Sequence, residues 1–170
     1  YLIYNEKHML LTDYQNLINK HRDEFDIYYQ ELVSYNDKVN LTAITERNDV
    51  FTKHFLDSIL SIDAIPENAS IVDVGTGAGF PGLVLAILNP EIQFTLIDSI
   101  AKKLSFVRTA MVSLNLKNVH IINDRCENIE IENKFDCIVS RAFAPLCKIV
   151  EWCKNLISDN GIFIAMKANL

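Results

Sequence analysis

The stretch Ile71-Val-Asp-Val-Gly-Thr-Gly-Ala-Gly-Phe-Pro-Gly82 decides the fold of this chain. It indicates a short apolar strand followed by a loop that holds four of the chain's five glycines. Glycine permits positive φ angles and lets a ligand lie close against bare backbone amides. A glycine cluster between a buried strand and an apolar helix therefore predicts a loop that binds a nucleotide-type cofactor.

The sequence pattern differs on the two sides of this region. Residues 1–65 have helical periodicity and almost no glycine or proline, which predicts a helical N-terminal segment packed on the core. Over 66–170 strands and helices alternate, and the strands are apolar on both faces, as in a parallel sheet covered by helices. The expected fold is a doubly wound α/β core behind a helical extension. We expect strands at 71–74, 92–97, 119–122, 135–140 and 161–166, and helices at 23–37, 47–60, 81–88, 101–114 and 145–157.

The glycine loop fits two cofactors. Gly77-Ala-Gly79-Phe-Pro-Gly82 is a GxGxxG pattern with Asp98 about 20 residues later, as in dinucleotide-binding folds. The same loop begins Asp73-x-Gly75-x-Gly77-x-Gly79, which is typical of S-adenosylmethionine (AdoMet) methyltransferases, where the acidic side chain lies near the cationic methionine end. AdoMet has no pyrophosphate, so Phe80 and Pro81 are tolerable at the helix start. We favour AdoMet, because too few residues follow Asp98 for the separate catalytic domain of most dehydrogenases.

Asp98 ends the second predicted strand, at the edge where ligands bind in open α/β sheets. Its carboxylate can accept hydrogen bonds from both ribose hydroxyls of the cofactor. Two alternatives stay open: Asp98 caps the helix predicted over 101–114, and the glycine loop is a tight turn without a ligand.

Five segments, taken in order along the chain, carry a family resemblance. They are Asn-Leu-Thr-Ala (40–43), Lys-His-Phe-Leu-Asp-Ser (53–58), the glycine loop with its Phe-Pro-Gly ending (73–82), Leu-Ile-Asp-Ser with Lys-Lys (96–103), and Val-Ser-Arg-Ala-Phe-Ala (139–144). Over about residues 30–168 the chain resembles the bacterial small-subunit ribosomal RNA guanine-N7 methyltransferases, also called the glucose-inhibited division protein B family. The resemblance implies a class I AdoMet-dependent methyltransferase core that methylates N7 of one guanine in the decoding-region loop.

The resemblance also implies site residues. Gly75 and Phe80 fall where the family's loop contacts AdoMet, Cys126 and Glu127 match the pair that flanks the adenine, and Arg141 matches an arginine that reaches the cofactor and substrate pocket. We expect Arg141 to be catalytic by orienting the base; a salt bridge to Asp98 or Asp124 is the alternative. The expected cofactor-binding set is Asp73, Gly75, Gly77, Gly79, Phe80, Asp98, Cys126, Glu127 and Arg141.

An RNA substrate needs positive charge on the protein, because phosphate contacts dominate affinity for nucleic acid. The net charge of −6 argues against indiscriminate coating of nucleic acid but allows a local basic track. The expected substrate-binding residues are Lys53, Lys102, Lys103, Arg108 and Lys167. For any single one of them, the alternative is a solvated side chain on a helix surface without a role in binding. Phe80 and Phe143 are candidates to stack on a base, and His54 and Asp57 are expected to pair with each other or to cap the glycine loop.

Composition limits the class of protein. Apolar residues make up 49% and charged residues 22%, as in ordinary soluble domains, and no segment has the pattern of a membrane span or signal peptide. The four cysteines form no CxxC pair, so we expect buried thiols in a reducing compartment, the cytoplasm, and no metal site. We also expect a monomer.

The family pattern continues beyond the fifth strand and usually has Lys-Gly where this chain has Lys167-Ala168. We therefore expect that the C-terminal strands are missing, that the core is truncated, and that this form binds AdoMet weakly or methylates poorly. Two alternative functions fit the sequence. One is an AdoMet methyltransferase of a protein or small molecule, and the other is a non-catalytic AdoMet- or nucleotide-binding module.

Overall fold

The computed structural model describes residues 9–141 and 145–166. In these ranges, five strands form one sheet in the order β3-β2-β1-β4-β5, and every neighbouring pair is parallel. The doubly wound α/β fold expected from the sequence is confirmed. The strands are β1 (Ile71–Val74), β2 (Phe94–Ile97), β3 (Val119–Ile122), β4 (Phe135–Arg141) and β5 (Ile157–Met166).

The helices lie before and between these strands. The N-terminal part holds α1 (Leu11–Lys20), α2 (Arg22–Asn36), α3 (Arg47–Val50), a π-helix (Phe51–Leu56), α4 (Asp57–Ile59) and a 3₁₀ turn (Ile62–Ala64). The α/β part holds α5 (Gly82–Leu88), α6 (Ala101–Ser113), a 3₁₀ turn (Cys126–Asn128) and α7 (Leu146–Cys153). None of the helices in the described residues is long and apolar enough to cross a membrane.

The central strand β1 is buried along its whole length, and its successive residues point to opposite faces of the sheet. Ile71 packs in one apolar cluster with α5, α6 and the N-terminal helices, whereas Val72 packs in a second cluster with α7. The N-terminal helices therefore share the core of the first face: Phe25, Tyr28 and Leu32 of α2 are fully buried there.

The strand order places the ligand site. The chain runs outward from β1 through β2 to β3 on one side, and β4 and β5 lie on the other side of β1. In open α/β sheets, the crevice for ligands opens at the carboxyl ends of the strands where this reversal occurs. The glycine loop follows β1 directly, so it lies at that crevice.

Some local predictions were wrong. The single helix predicted over 47–60 is helical but changes to π geometry at Phe51–Leu56, a rare form that often occurs at functional sites. β5 begins four residues before the predicted position, because a bulge opposite Phe135–Cys137 lets the polar stretch before Gly161 stay in the strand. Cys147 is exposed, although Cys126, Cys137 and Cys153 are buried as expected.

Candidate functional site

The glycine loop combines a packed position and an open one. Gly75, Gly77 and Gly79 have φ angles of 74°, 59° and 87°. A Cβ at Gly79 would lie 2.5 Å from Leu83 Cδ1 and 2.6 Å from Tyr28 Oη, so this position has no room for a side chain. A Cβ at Gly77 would meet only the Gly75 carbonyl, at 3.9 Å. The backbone at Gly77 therefore faces open space, where a ligand can approach it.

Asp73 supports the loop from below. Its side chain is fully buried at the end of β1, and Oδ2 accepts hydrogen bonds from Thr76 Oγ1 at 2.7 Å and from the Gly82 N–H at 2.8 Å. Within the described residues, Oδ1 has no hydrogen-bond partner. Burial raises the pKa of Asp73 to about 6. The carboxylate thus joins the two ends of the loop.

A groove of two adjoining cavities, about 320 Å³ and 420 Å³, runs along the carboxyl edge of β1 and β2. Gly75, Asp98 and Ser99 line both cavities. Each volume lies within the range of about 300–1,000 Å³ that is usual for small-molecule sites. The smaller cavity is also lined by Val74, Ile97, Asp124, Arg125, Cys126, Glu127 and Trp152. The larger is also lined by Leu41, Thr42, His54, Thr76, Gly77, Ala78, Phe80, Ile100, Lys103 and Arg141.

Asp98 lies where the two cavities meet. Its Oδ2 accepts a hydrogen bond from the Gly77 N–H at 2.9 Å, and its Oδ1 accepts one from the Ile100 N–H at 2.8 Å. An ionised carboxylate has about four acceptor sites, so each oxygen can still accept another donor. Asp98 is 7% exposed, which leaves that remaining capacity at the groove. This is a suitable acceptor for a diol such as a ribose.

Cys126 and Glu127 lie at the end of the smaller cavity, beyond β3. The Cys126 thiol donates to Glu127 Oε2 at 3.4 Å, and a hydrogen bond with Cys153 lowers the pKa of Cys126. Glu127 also pairs with Arg125 at 2.9 Å on the protein surface. Apolar Ile97 and the polar Glu127 on one rim suit a flat heteroaromatic ring with polar edges.

Arg141 ends β4 and bounds the larger cavity. Its Nη1 donates to Asp57 Oδ2 at 3.1 Å and to the carbonyls of Lys53 at 3.3 Å and His54 at 3.5 Å. Its guanidinium carbon lies 4.9 Å from the centre of the Phe80 ring. Arg141 is only 15% exposed, so it is held in place on several sides, and the π-helix supplies the two carbonyls.

His54 lies between Arg141 and the 41–44 segment. Its ring stacks on Phe80 with centroids 4.6 Å apart and an interplanar angle of 19°. Nδ1 is 3.1 Å from Arg141 Nη2, and Nε2 is 2.8 Å from Thr42 Oγ1. Burial, and then the charge of Arg141, lowers the pKa of His54 to about 4.

The family model described as GidB, rRNA small subunit methyltransferase G, matches residues 21–170. The chain belongs to this family. It is 37% identical over 172 residues to ribosomal RNA small subunit methyltransferase G of Lactobacillus helveticus, covering 95% of this chain and 72% of that protein. The protein of the same name from Mycoplasma capricolum is 44% identical over 162 residues, covering 93% of this chain and 70% of the relative. The resemblance inferred from the sequence is confirmed.

Two solved structures share the fold of this GidB-family chain. It matches coclaurine N-methyltransferase with a TM-score of 0.58 at 20% identity, covering 79% of this chain and 42% of that one. It matches YcgJ from Bacillus with a TM-score of 0.56 at 19% identity, covering 66% and 50%. At these identities the likeness shows the fold alone.

The structure brings most of the expected cofactor residues of this family member to one groove. Gly75, Gly77, Phe80, Asp98, Cys126, Glu127 and Arg141 line it. Asp73 and Gly79 line neither cavity. Asp73 lies beneath the loop, and Gly79 packs closely against Leu83 and Tyr28. Their contact with a cofactor stays a prediction, and both residues shape the loop in the structure.

The expected substrate residues are more scattered. Lys103 lines the larger cavity, whereas Lys102 and Arg108 are exposed on α6 outside it. Lys53 lines a separate cavity of about 700 Å³ on the other side of Arg141, and its Nζ pairs with Asp49 at 2.9 Å. Lys167 and Phe143 lie outside the described residues.

Two alternatives weighed from the sequence were wrong. Arg141 pairs with Asp57 rather than with Asp98 or Asp124, because the N-terminal helices bring the π-helix against the end of β4. Phe80 is not free to stack on a base, since it is 5% exposed and its ring already stacks on Tyr28 and His54.

Sequence reasoning missed several residues that line the groove. They include Thr42, Ser99 and Trp152, which lie in three distant parts of the chain. Thr42 and Ser99 could have been found, because they lie in Asn-Leu-Thr-Ala (40–43) and Leu-Ile-Asp-Ser (96–99), two segments that carried the family resemblance.

Proposed function

We propose that this chain transfers a methyl group from AdoMet to N7 of a guanine in small-subunit ribosomal RNA. One observation carries the proposal: a groove at the strand ends runs from the Cys126 rim, past Asp98 and the open backbone of Gly77, to the fixed guanidinium of Arg141. Relatives that share 37–44% of its residues bear the name ribosomal RNA small subunit methyltransferase G, which supports the choice of substrate.

The residues of the groove fit AdoMet. Asp98 would hold the ribose hydroxyls with its remaining acceptor capacity, and the rim at Cys126 and Glu127 would hold the adenine. Gly75 and Gly77 line the groove without side chains, and the open space at Gly77 would let the methionine part lie close. When bound, AdoMet supplies an activated methyl group on a sulfonium.

The nucleophile needs no general base. Guanine N7 carries a free lone pair, since it is an acceptor in the unmodified base. The task of this chain is therefore to position the base and to exclude water. The Arg141 Nη1 and Nη2 groups have acceptors, but the Nε–H has no acceptor among the described residues. Arg141 therefore retains a donor for a base or a phosphate.

We further propose that this chain acts as a monomer. The ribosomal RNA named for the relatives supports a cytoplasmic location.

The test is methylation of small subunits from cells that lack the modification. Purified protein is incubated with these subunits and with AdoMet that carries a labelled methyl group, and the RNA nucleosides are analysed by mass spectrometry. Label in 7-methylguanosine supports the proposal. Label on another base, on protein or on a small molecule contradicts it, and binding of AdoMet without transfer indicates a non-catalytic module.

Arg141→Ala is the first variant for this assay. Loss of the orienting guanidinium should lower turnover by about 100-fold or more, since misplacement of about 1 Å can cost that much. The control is circular dichroism together with thermal unfolding, both of which should report a folded protein. Near-normal turnover of this variant would contradict the catalytic role.

A further inference from the structure

His54 holds Arg141 through a defined protonation state. A guanidinium has only N–H donors and no acceptor, so the Arg141 Nη2–His54 Nδ1 contact at 3.1 Å requires Nδ1 to be unprotonated. In a neutral imidazole the other nitrogen then carries the proton. His54 Nε2–H must therefore donate to Thr42 Oγ1, which lies 2.8 Å away.

The Thr42 hydroxyl is itself oriented. Its Oγ1 accepts the Ile44 N–H at 3.1 Å, and the N–H groups of Leu41 and Thr42 donate to Asn36 Oδ1 at 2.7 and 2.9 Å. The 41–44 segment is thus fixed to the end of α2. Because the segment is fixed, it can hold the His54 ring at a constant angle.

The imidazole is also fixed by its faces and by its backbone. It stacks on Phe80 of the glycine loop, and the His54 carbonyl accepts from Ser58 Oγ at 2.6 Å as well as from Arg141. The charged groups that act on the ring are Arg141 from β4 and Asp57 from α4, and they act in opposite directions. A protonated ring would place a second positive charge and a second donor against Arg141.

We propose that His54 is a positioning residue for Arg141, a neutral Nε2–H imidazole that fixes the guanidinium between Thr42, the glycine loop and the substrate side of the groove. The proposal rests on the function proposed above, because it assigns His54 an effect on turnover through Arg141. It does not require His54 to touch the substrate or to move a proton.

The protonation state is tested first, by a readout that needs no turnover. Nitrogen-15 NMR of the full chain at pH 7 should show His54 with Nδ1 unprotonated and Nε2 protonated, assigned by loss of the signal in His54→Gln. An Nδ1–H tautomer or an imidazolium at pH 7 would overturn the proposal, whether or not the chain methylates RNA.

Two substitutions separate positioning from packing. His54→Phe keeps a ring to stack on Phe80 but has no acceptor, whereas His54→Asn loses the ring and places Oδ1 near the position of Nδ1. We expect His54→Phe to lower kcat on the order of 100-fold with little change in the KM for AdoMet, and His54→Asn to recover about tenfold of that loss. If the role were only structural, the order would reverse and the phenylalanine variant would be the more active one.

A double-mutant cycle gives the last arm. On the Arg141→Ala background, His54→Phe should lower kcat no further, because the residue that it positions is absent. Independent, multiplicative losses would overturn the proposal. If the wild-type chain transfers no methyl group to guanine N7, the proposed function fails, while the tautomer measurement still decides the state of His54.

Discussion

The carboxyl group of Asp73 makes the stability of this chain depend on pH. Burial raises its pKa from 3.8 to about 6, so the folded protein keeps the proton in a range where the unfolded chain has lost it. The resulting contribution to stability is complete below about pH 4 and is lost as the pH rises through about 6. Asp73→Asn removes this titration while an amide oxygen can still accept from Thr76 and Gly82.

Relative to the wild type, Asp73→Asn should therefore gain roughly 3 kcal/mol of unfolding free energy between pH 4 and pH 7, since two pKa units are worth about that much. Urea unfolding at several pH values measures the difference. Parallel pH profiles for wild type and Asp73→Asn would show that Asp73 does not titrate as described.

His54 acts in the opposite direction. Its lowered pKa gives stability above about pH 6.5 that is lost as the pH falls through about 4. His54→Gln is the matched variant that removes this dependence of stability on pH.

Within the glycine loop, neighbouring glycines serve different purposes, and two alanine variants distinguish them. At Gly79 a Cβ clashes with Leu83 and Tyr28, and φ is 87°, so Gly79→Ala should cost roughly 3 kcal/mol of unfolding free energy from strain and overpacking. At Gly77 there is open space and φ is 59°, so Gly77→Ala should cost only about 1 kcal/mol. Its new methyl group would instead lie in the groove. Relative to the unfolding free energy that each variant loses, Gly77→Ala should therefore weaken AdoMet binding more than Gly79→Ala does. Thermal unfolding and calorimetric titration check the pair, and equal costs for both variants would contradict the distinction.

The loop and the strands were predictable because their signals are local. An apolar run, alternating glycines and Asp98 at the next strand end are all read from neighbouring positions, and they gave β1, β2 and one wall of the groove. The π-helix was not predictable, because one extra residue in a turn leaves the helical periodicity of 47–60 nearly unchanged. The partners of Arg141 were not predictable either, since Asp57 and His54 are more than 80 positions away along the chain.

Across the whole molecule, the N-terminal helices complete the site rather than merely covering the sheet. Tyr28 of α2 donates to the Ala78 carbonyl at 2.6 Å and stacks on Phe80, so α2 fixes the glycine loop. The π-helix then fixes Arg141 at the end of β4. One face of the sheet therefore joins the groove and the N-terminal helices in a single packed unit, although the sequence pattern changes sharply between them.

The distribution of charge over the molecule leads to a prediction about RNA. The chain carries a net charge of −6, so affinity for RNA must come from where its cations lie rather than from their number. Lys102 and Arg108 are exposed on α6, the helix that begins directly after the groove residues Asp98–Ile100. Lys117 and Lys134 are also exposed, but they precede β3 and β4 and lie at the opposite edge of the sheet.

A Lys102→Gln/Arg108→Gln double variant should weaken binding to small-subunit RNA and lower the slope of log affinity against log salt by about two, because each removed cation would otherwise neutralise one phosphate. AdoMet affinity should stay unchanged, because neither side chain lines the groove. The Lys117→Gln/Lys134→Gln variant makes the same change in net charge at the far edge, and it should bind RNA as the wild type does. Binding titrations at 50 to 200 mM salt, about the range over which phosphate binding dominates, give the slopes. If both double variants bound RNA equally weakly, net charge alone would govern the encounter, and α6 would not form part of the RNA-binding surface.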